Sequence, residues 1–216
     1  EARRLTGSPR LCLAGGVALN CVANGRLLKA GVYDDIWIQP AAGDAGGALG
    51  AAFCGLHIHS GRERTVGAGD RMKGAFLGPR FSDAEIQTAV KPFGAVCRVY
   101  ADFDEVAAKT AELLDTGNVV GWFQGRMEFG PRALGGRSIL ADARNPEMQK
   151  KLNLKIKYRE GFRPFAPSVL GEDAPEYFDL DRESPYMLLI ADVKESRRSK
   201  LPADYPDRPW RDKLDR

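Results

Sequence analysis

Residues 125–138, GRMEFGPRALGGRS, set three arginines (Arg126, Arg132, Arg137) among four glycines, a proline and a single acid, Glu128. A solvated helix would use lysines and good helix formers, and this stretch uses neither. Guanidinium groups suit an anion: the planar fork pairs with phosphate oxygens bidentately and its charge does not titrate away. Glycine lets backbone N–H groups approach the same ligand. A second cationic stretch, LNLKIKYREGFRPFAPSV at 152–169, adds Lys157 and Arg163. Between Gly121 and Leu170 ten Lys/Arg face four acids, so this window carries +6 in a chain whose formal net charge is +3. That bias points to a small anion or a nucleic-acid backbone. Each arginine also has a structural use, pairing with Glu128, Asp142 or Glu160 to hold its own loop, and for Arg137 and Arg144 the two uses stand level.

Two glycine turns in the first half offer related chemistry. In LCLAGGVALN, Gly15 and Gly16 separate a strand from a helix start, where backbone N–H groups and the positive helix end face an anion. Asn20 and Asn24 are further donors, and close packing is the competing reason for the glycines. In GDAGGALGAA, Asp44 is placed either to cap the helix that follows or to face a metal or ribose from a strand's carboxyl end. His57 and His59 have no third ligand in the pattern and read as packing residues. The four cysteines show no C-x-x-C spacing and sit in apolar contexts, which predicts buried free thiols in a reducing compartment.

The elements that must carry these residues alternate strand and helix, an α/β pattern. Residues 11–14 and 35–40 read as strands, each leading through a glycine turn into a helix, the first of which runs to Gly31. Residues 60–79 are Gly-, Arg- and polar-rich, a connector by composition. Ser82 and Glu85 have capping-box spacing, residues 95–100 read as a strand, and 102–117 as an amphipathic helix. NVVGWFQG is a strand entering the arginine loop, 145–155 a helix, and 165–170 and 186–193 are strands. At 216 residues and 44% apolar content the chain is one or two globular domains. No apolar run reaches the roughly 20 residues of a membrane span, and no signal peptide opens the chain, which predicts a cytoplasmic protein.

AGGVALN together with QPAAGDAGGALGAA resembles the C-terminal part of a Kae1-like domain of the actin-like ATPase superfamily, in the form found in O-carbamoyltransferases of nodulation and antibiotic biosynthesis. FQGRMEFGPRALGGRSILADAR and LNLKIKYREGFRPFAPSV resemble the YrdC-like C-terminal domain of the same enzymes. The resemblance implies an α/β fold: a partial actin-like (Kae1-like) segment over 1–60, a linker over 61–80, and a truncated YrdC-like domain with a twisted mixed sheet over 81–216. It implies that carbamoyl phosphate and ATP, with Mg²⁺, give a carbamoyl-adenylate. The carbamoyl group then moves to a hydroxyl of a small-molecule or oligosaccharide acceptor, a nodulation factor or an antibiotic.

Carried onto this chain, the family roles make Arg126, Arg132 and Arg163 the catalytic anion contacts. Gly15, Gly16, Asn20, Arg137, Ser138 and Lys157 become substrate or nucleotide contacts. Asp44 becomes a ligand of an iron (Fe²⁺) site in the complete first domain, whose histidine pair H-x-x-x-H this chain does not contain. The chain is therefore expected to be a fragment that binds carbamoyl phosphate or adenine nucleotide without completing transfer. Alternatives are a threonylcarbamoyl-adenylate synthase-like protein or an RNA-binding YrdC-type module. The second lacks an aromatic platform beyond Trp122, Phe123 and Phe129. Neither membrane nor nucleic acid is an expected partner, and a homodimer is left open.

Overall fold

The computed structural model describes residues 1–214. The chain divides into two units: 1–82 with 123–137 and 180–192, and 83–122 with 138–179 and 193–216.

The first unit opens with α1 (Ala2–Thr6) and a short parallel pair, β1 (Arg10–Leu13) and β2 (Asp35–Ile38), in the register Leu11 to Ile36 and Leu13 to Ile38. The helix expected between them is divided. A single 3₁₀ turn covers Gly16–Leu19, and α2 (Cys21–Lys29) follows. The division falls at Asn20, whose side chain accepts the Ala23 N–H at 3.1 Å and caps α2, a use of Asn that outcompetes continuation of the helix. Gly31, at φ 59°, closes the segment as the sequence predicts. Helix α3 (Asp44–Cys54) leaves the turn after β2 and runs on as a π-type turn, Gly55–His59. The core gathers Ala18, Ile38, Ala42 and Leu188, with Leu13, Leu19, Ile36, Tyr186 and Leu189 packed against it. Asn24 is buried and donates to the carbonyls of Ala18 and Leu188, which ties residues 180–192 to the start of the chain.

The second unit contains α4 (Asp83–Val90) and the amphipathic α5 (Phe103–Asp115), capped by Asp102 through the Glu105 N–H at 2.9 Å. The strands β3 (Val120–Phe123) and β4 (Arg137–Leu140) pair, and the chain changes unit at their ends. Next come α6 (Met148–Lys151), a π-type turn over Leu152–Ile156, α7 (Ala174–Tyr177), β5 (Phe178–Asp179), β6 (Asp192–Val193) and α8 (Trp210–Leu214).

Among the described residues the expected twisted mixed sheet is not formed: their strands make three separate two-stranded sheets. None of these strands exceeds four residues, too few to recruit a third neighbour across glycine- and proline-rich loops. Residues 95–100 and 165–170 form no strand, and Val96 and Val99 are exposed; of 186–193 only Asp192–Val193 is a strand. The cysteines are free, but Cys12, Cys54 and Cys97 are exposed rather than buried. Among the described residues no helix is long and apolar enough to cross a membrane.

Candidate functional site

Both turns that follow the parallel strands lie at the carboxyl ends of β1 and β2, where open α/β sheets present ligands. Backbone bonds join them: Gln39 N–H to Leu13 O at 3.0 Å, and Gly15 N–H to Ala42 O at 2.8 Å. Gly15 sits at φ 92°, a conformation that needs glycine, and its N–H is used inside the fold. Gly16, by contrast, is exposed at the start of the 3₁₀ turn. Asn20 spends its side-chain oxygen on the α2 cap. Asp44 is the first residue of α3, exposed, and makes no cap bond, so the capping role considered for it is not realised.

The arginine loop belongs to this same unit and is built around Glu128. Its carboxylate is fully buried; Oε1 accepts the N–H groups of Leu134 at 2.6 Å, Gly136 at 2.8 Å and Arg137 at 3.3 Å, and Oε2 accepts Arg137 Nε at 3.0 Å. Burial pushes this carboxyl up, but the N–H groups around it and the Arg137 guanidinium outweigh burial and bring its pKa down to about 2. Gly136 is obligatory here: a Cβ would stand 2.6 Å from Arg126 O and 3.0 Å from Glu128 Oε2. Arg137 is thus occupied within the loop, the structural use weighed above. Gly130 brings the loop against Ala41, on the turn after β2.

Arg132 and Arg126 are held differently. Arg132 Nη2 donates to Leu19 O at 2.8 Å, so its guanidinium lies by the Gly15–Asn20 turn. Its Nε is buried without a hydrogen-bond partner, and among the described residues no carboxylate pairs with it. Arg126 is exposed and donates to Gly78 O at 2.8 Å.

Ser138, Lys157 and Arg163 lie in the second unit. Lys157 is exposed at the end of the π-type turn. Arg163 pairs with Glu160 at 2.8 Å in the open. Arg144 is taken up by Asp142 and Asp115, at 2.9 and 2.5 Å. Asn153, which the motif reading passed over, is the polar centre of this segment. It is wholly buried; Nδ2 donates to Gly161 O and Arg163 O, and Oδ1 accepts Arg159 Nε at 2.6 Å. An amide between two leucines in LNLKIKYREGFR was the signal available.

Two family models match this chain: carbamoyltransferase N-terminus over residues 2–53 and carbamoyltransferase C-terminus over 111–206. The chain belongs to the carbamoyltransferase family. The uncharacterized protein sll1178 of Synechocystis is 61% identical over 197 residues, covering 90% of this chain and 32% of that protein. Nodulation protein NolNO of Sinorhizobium fredii is 46% identical, over 92% of this chain and 29% of its own length. Nodulation protein NolO of Bradyrhizobium diazoefficiens is 44% identical, over 93% and 36%. The chain therefore spans about a third of the length of these relatives.

These matches, with the three small sheets, replace the partial actin-like segment and YrdC-like domain expected above by the carbamoyltransferase family's own architecture. Among the described residues no three His, Cys, Asp or Glu come together to hold a metal. His57 stacks on Phe53, and its Nδ1 lies 2.8 Å from Arg62 O. Asp44 has no co-ligands among these residues, and the histidine pair expected to complete an iron site is not part of this sequence.

Proposed function

We propose that this carbamoyltransferase chain carries phosphate-binding machinery for moving a carbamoyl group to a hydroxyl acceptor. The observation that carries the reading is Arg132: a guanidinium with a buried, unpaired Nε, no carboxylate partner among the described residues, and a place beside the turns at the carboxyl ends of β1 and β2. The guanidinium is half-buried, holds the Leu19 carbonyl through Nη2 and has no internal counter-ion among the described residues, so its charge is left for an external anion at its open edge. Transfer from a phosphate anhydride forms a C–O bond to the acceptor and breaks the C–O bond to phosphate. The departing phosphate keeps the electron pair and takes up the acceptor's hydroxyl proton. Negative charge therefore grows on phosphate oxygens, where a preorganised guanidinium stabilises it.

In its finer form the reading has carbamoyl phosphate, ATP and water giving a carbamoyl-adenylate, phosphate and pyrophosphate, with Mg²⁺ arriving on the nucleotide. Arg132 and Arg126, with Gly16, are assigned to phosphate contacts in the first unit. Arg137 is assigned to holding the loop for them through Glu128. Lys157 and Arg163 are assigned as phosphate or carbamoyl contacts of the second unit, and Ser138 as a hydroxyl donor. The acceptor is a hydroxyl-bearing small molecule or oligosaccharide, a class in keeping with the nodulation proteins among the relatives.

Calorimetric titration with carbamoyl phosphate, and separately with pyrophosphate, tests this. Arg132→Ala is expected to weaken binding at least about tenfold, the loss of one charge-assisted bond. Arg132→Lys should fall between, keeping charge without the fork. Arg144→Ala, whose guanidinium is already paired, should bind as the parent does. Unchanged binding by Arg132→Ala would sink the assignment.

A further inference from the structure

Residues 70–79, DRMKGAFLGP, run beside the arginine loop within the first unit. Three consecutive residues there, Lys73, Gly74 and Ala75, take positive φ values of 51°, 68° and 67°. Lysine and alanine adopt that region only where the surroundings over-determine it. Here Asp70 does so: Oδ1 accepts Met72 N–H at 2.9 Å and Oδ2 accepts Gly74 N–H at 3.1 Å. Tyr186, 116 residues away, donates its hydroxyl to the same Oδ2 and receives the Gly74 N–H at 3.1 Å. The tyrosine ring packs on the core formed by Ala18, Ile38, Ala42 and Leu188, so the clasp is anchored to the β1–β2 pair.

The turn is aimed at the arginine loop. Ala75 is buried, and its carbonyl accepts Phe129 N–H at 2.7 Å. Gly78 N–H donates to Met127 O and Met127 N–H to Pro79 O, both at 2.9 Å, and Arg126 Nη1 reaches Gly78 O at 2.8 Å. Both neighbours of Glu128 are thus fixed by this brace. Glu128 in turn fixes Leu134, Gly136 and Arg137, and so brackets Arg132.

We propose that Asp70 and Tyr186 are positioning residues for the anion site: their clasp holds the left-handed turn 73–75, which sets the backbone on either side of Glu128 and through it the presentation of Arg132. The consequence for ligand binding rests on the function proposed above; the mechanical link does not.

Tyr186→Phe keeps the ring and removes the hydroxyl, and Asp70→Asn keeps the shape and removes the charge. Hydrogen exchange, read amide by amide on the folded chain, is the first measurement. Met127, Phe129, Leu134 and Gly136 are expected to exchange on the order of tenfold faster in both variants, as for the loss of one strong hydrogen bond. The Gln39 amide and the β1–β2 ladder should keep their parent rates. Pyrophosphate affinity, measured alongside, should fall by a similar factor, which a role in bulk stability alone would not produce while the ladder is unmoved. Unchanged loop exchange in both variants, or equal acceleration of loop and ladder, overturns the proposal. A parent chain that binds no pyrophosphate would instead overturn the proposed function, and the exchange comparison would still decide the clasp.

Discussion

Replacing Glu128 by glutamine tests whether charge, rather than shape, organises the arginine loop. The carboxyl is buried, and its pKa is brought from an ordinary 4.5 to about 2 by the N–H groups and guanidinium around it. A group whose folded pKa is depressed contributes stability that is fully present above its unfolded pKa and is lost as pH falls through the folded value. The interval here is worth at most about 3 kcal/mol at neutral pH. Glu128→Gln retains an oxygen for Leu134 and Gly136 but turns an amide donor toward Arg137 Nε, itself a donor. Urea denaturation of both proteins from pH 7 down to pH 2 gives the difference directly. A gap of about 3 kcal/mol at pH 7, constant down to about pH 4.5 and closing toward pH 2, is expected. A gap that stays constant over the whole range would refute the reasoning, since the loop would then depend on packing and not on the carboxylate.

Other substitutions separate packing from binding. Gly46→Ala places a Cβ 2.1 Å from Ala41 O, so the turn after β2 must move; a loss of about 3 kcal/mol in urea denaturation is expected. Asn153→Ala strands Gly161 O and Arg163 O in a buried site and should cost about 2 kcal/mol, with faster exchange confined to 157–163. Arg163→Ala breaks only an exposed pair with Glu160, so its thermal midpoint should match the parent's while carbamoyl phosphate binding weakens.

Much of the first unit was legible because its determinants are local. The apolar run at 11–14, the Ile36/Ile38 alternation and Gly31 each act within a few residues, and β1, α2 and β2 appear near where they were expected. The sequence marks Asn20 as a donor, yet its capping role depends on backbone geometry that a run of helix-compatible residues does not reveal. The pairing of Arg137 with Glu128, nine residues apart, is one of the two uses its sequence context allows, and it is formed here. What was illegible is long-range. Tyr186 and Asp70 meet across 116 residues, and nothing in a glycine- and arginine-rich stretch signals that its backbone will be held left-handed by a distant hydroxyl. The strands at 95–100 and 165–170 failed for the complementary reason: local β-propensity is worth little where no neighbouring strand is supplied.

The Arg132 Nε–H resonance offers the most direct test of the account, observed by ¹⁵N NMR while carbamoyl phosphate or pyrophosphate is added. The account predicts that it shifts as an external anion engages the Arg132 guanidinium, while the Arg137 and Arg144 signals stay in place. Saturating ligand that leaves Arg132 Nε–H unmoved would contradict it.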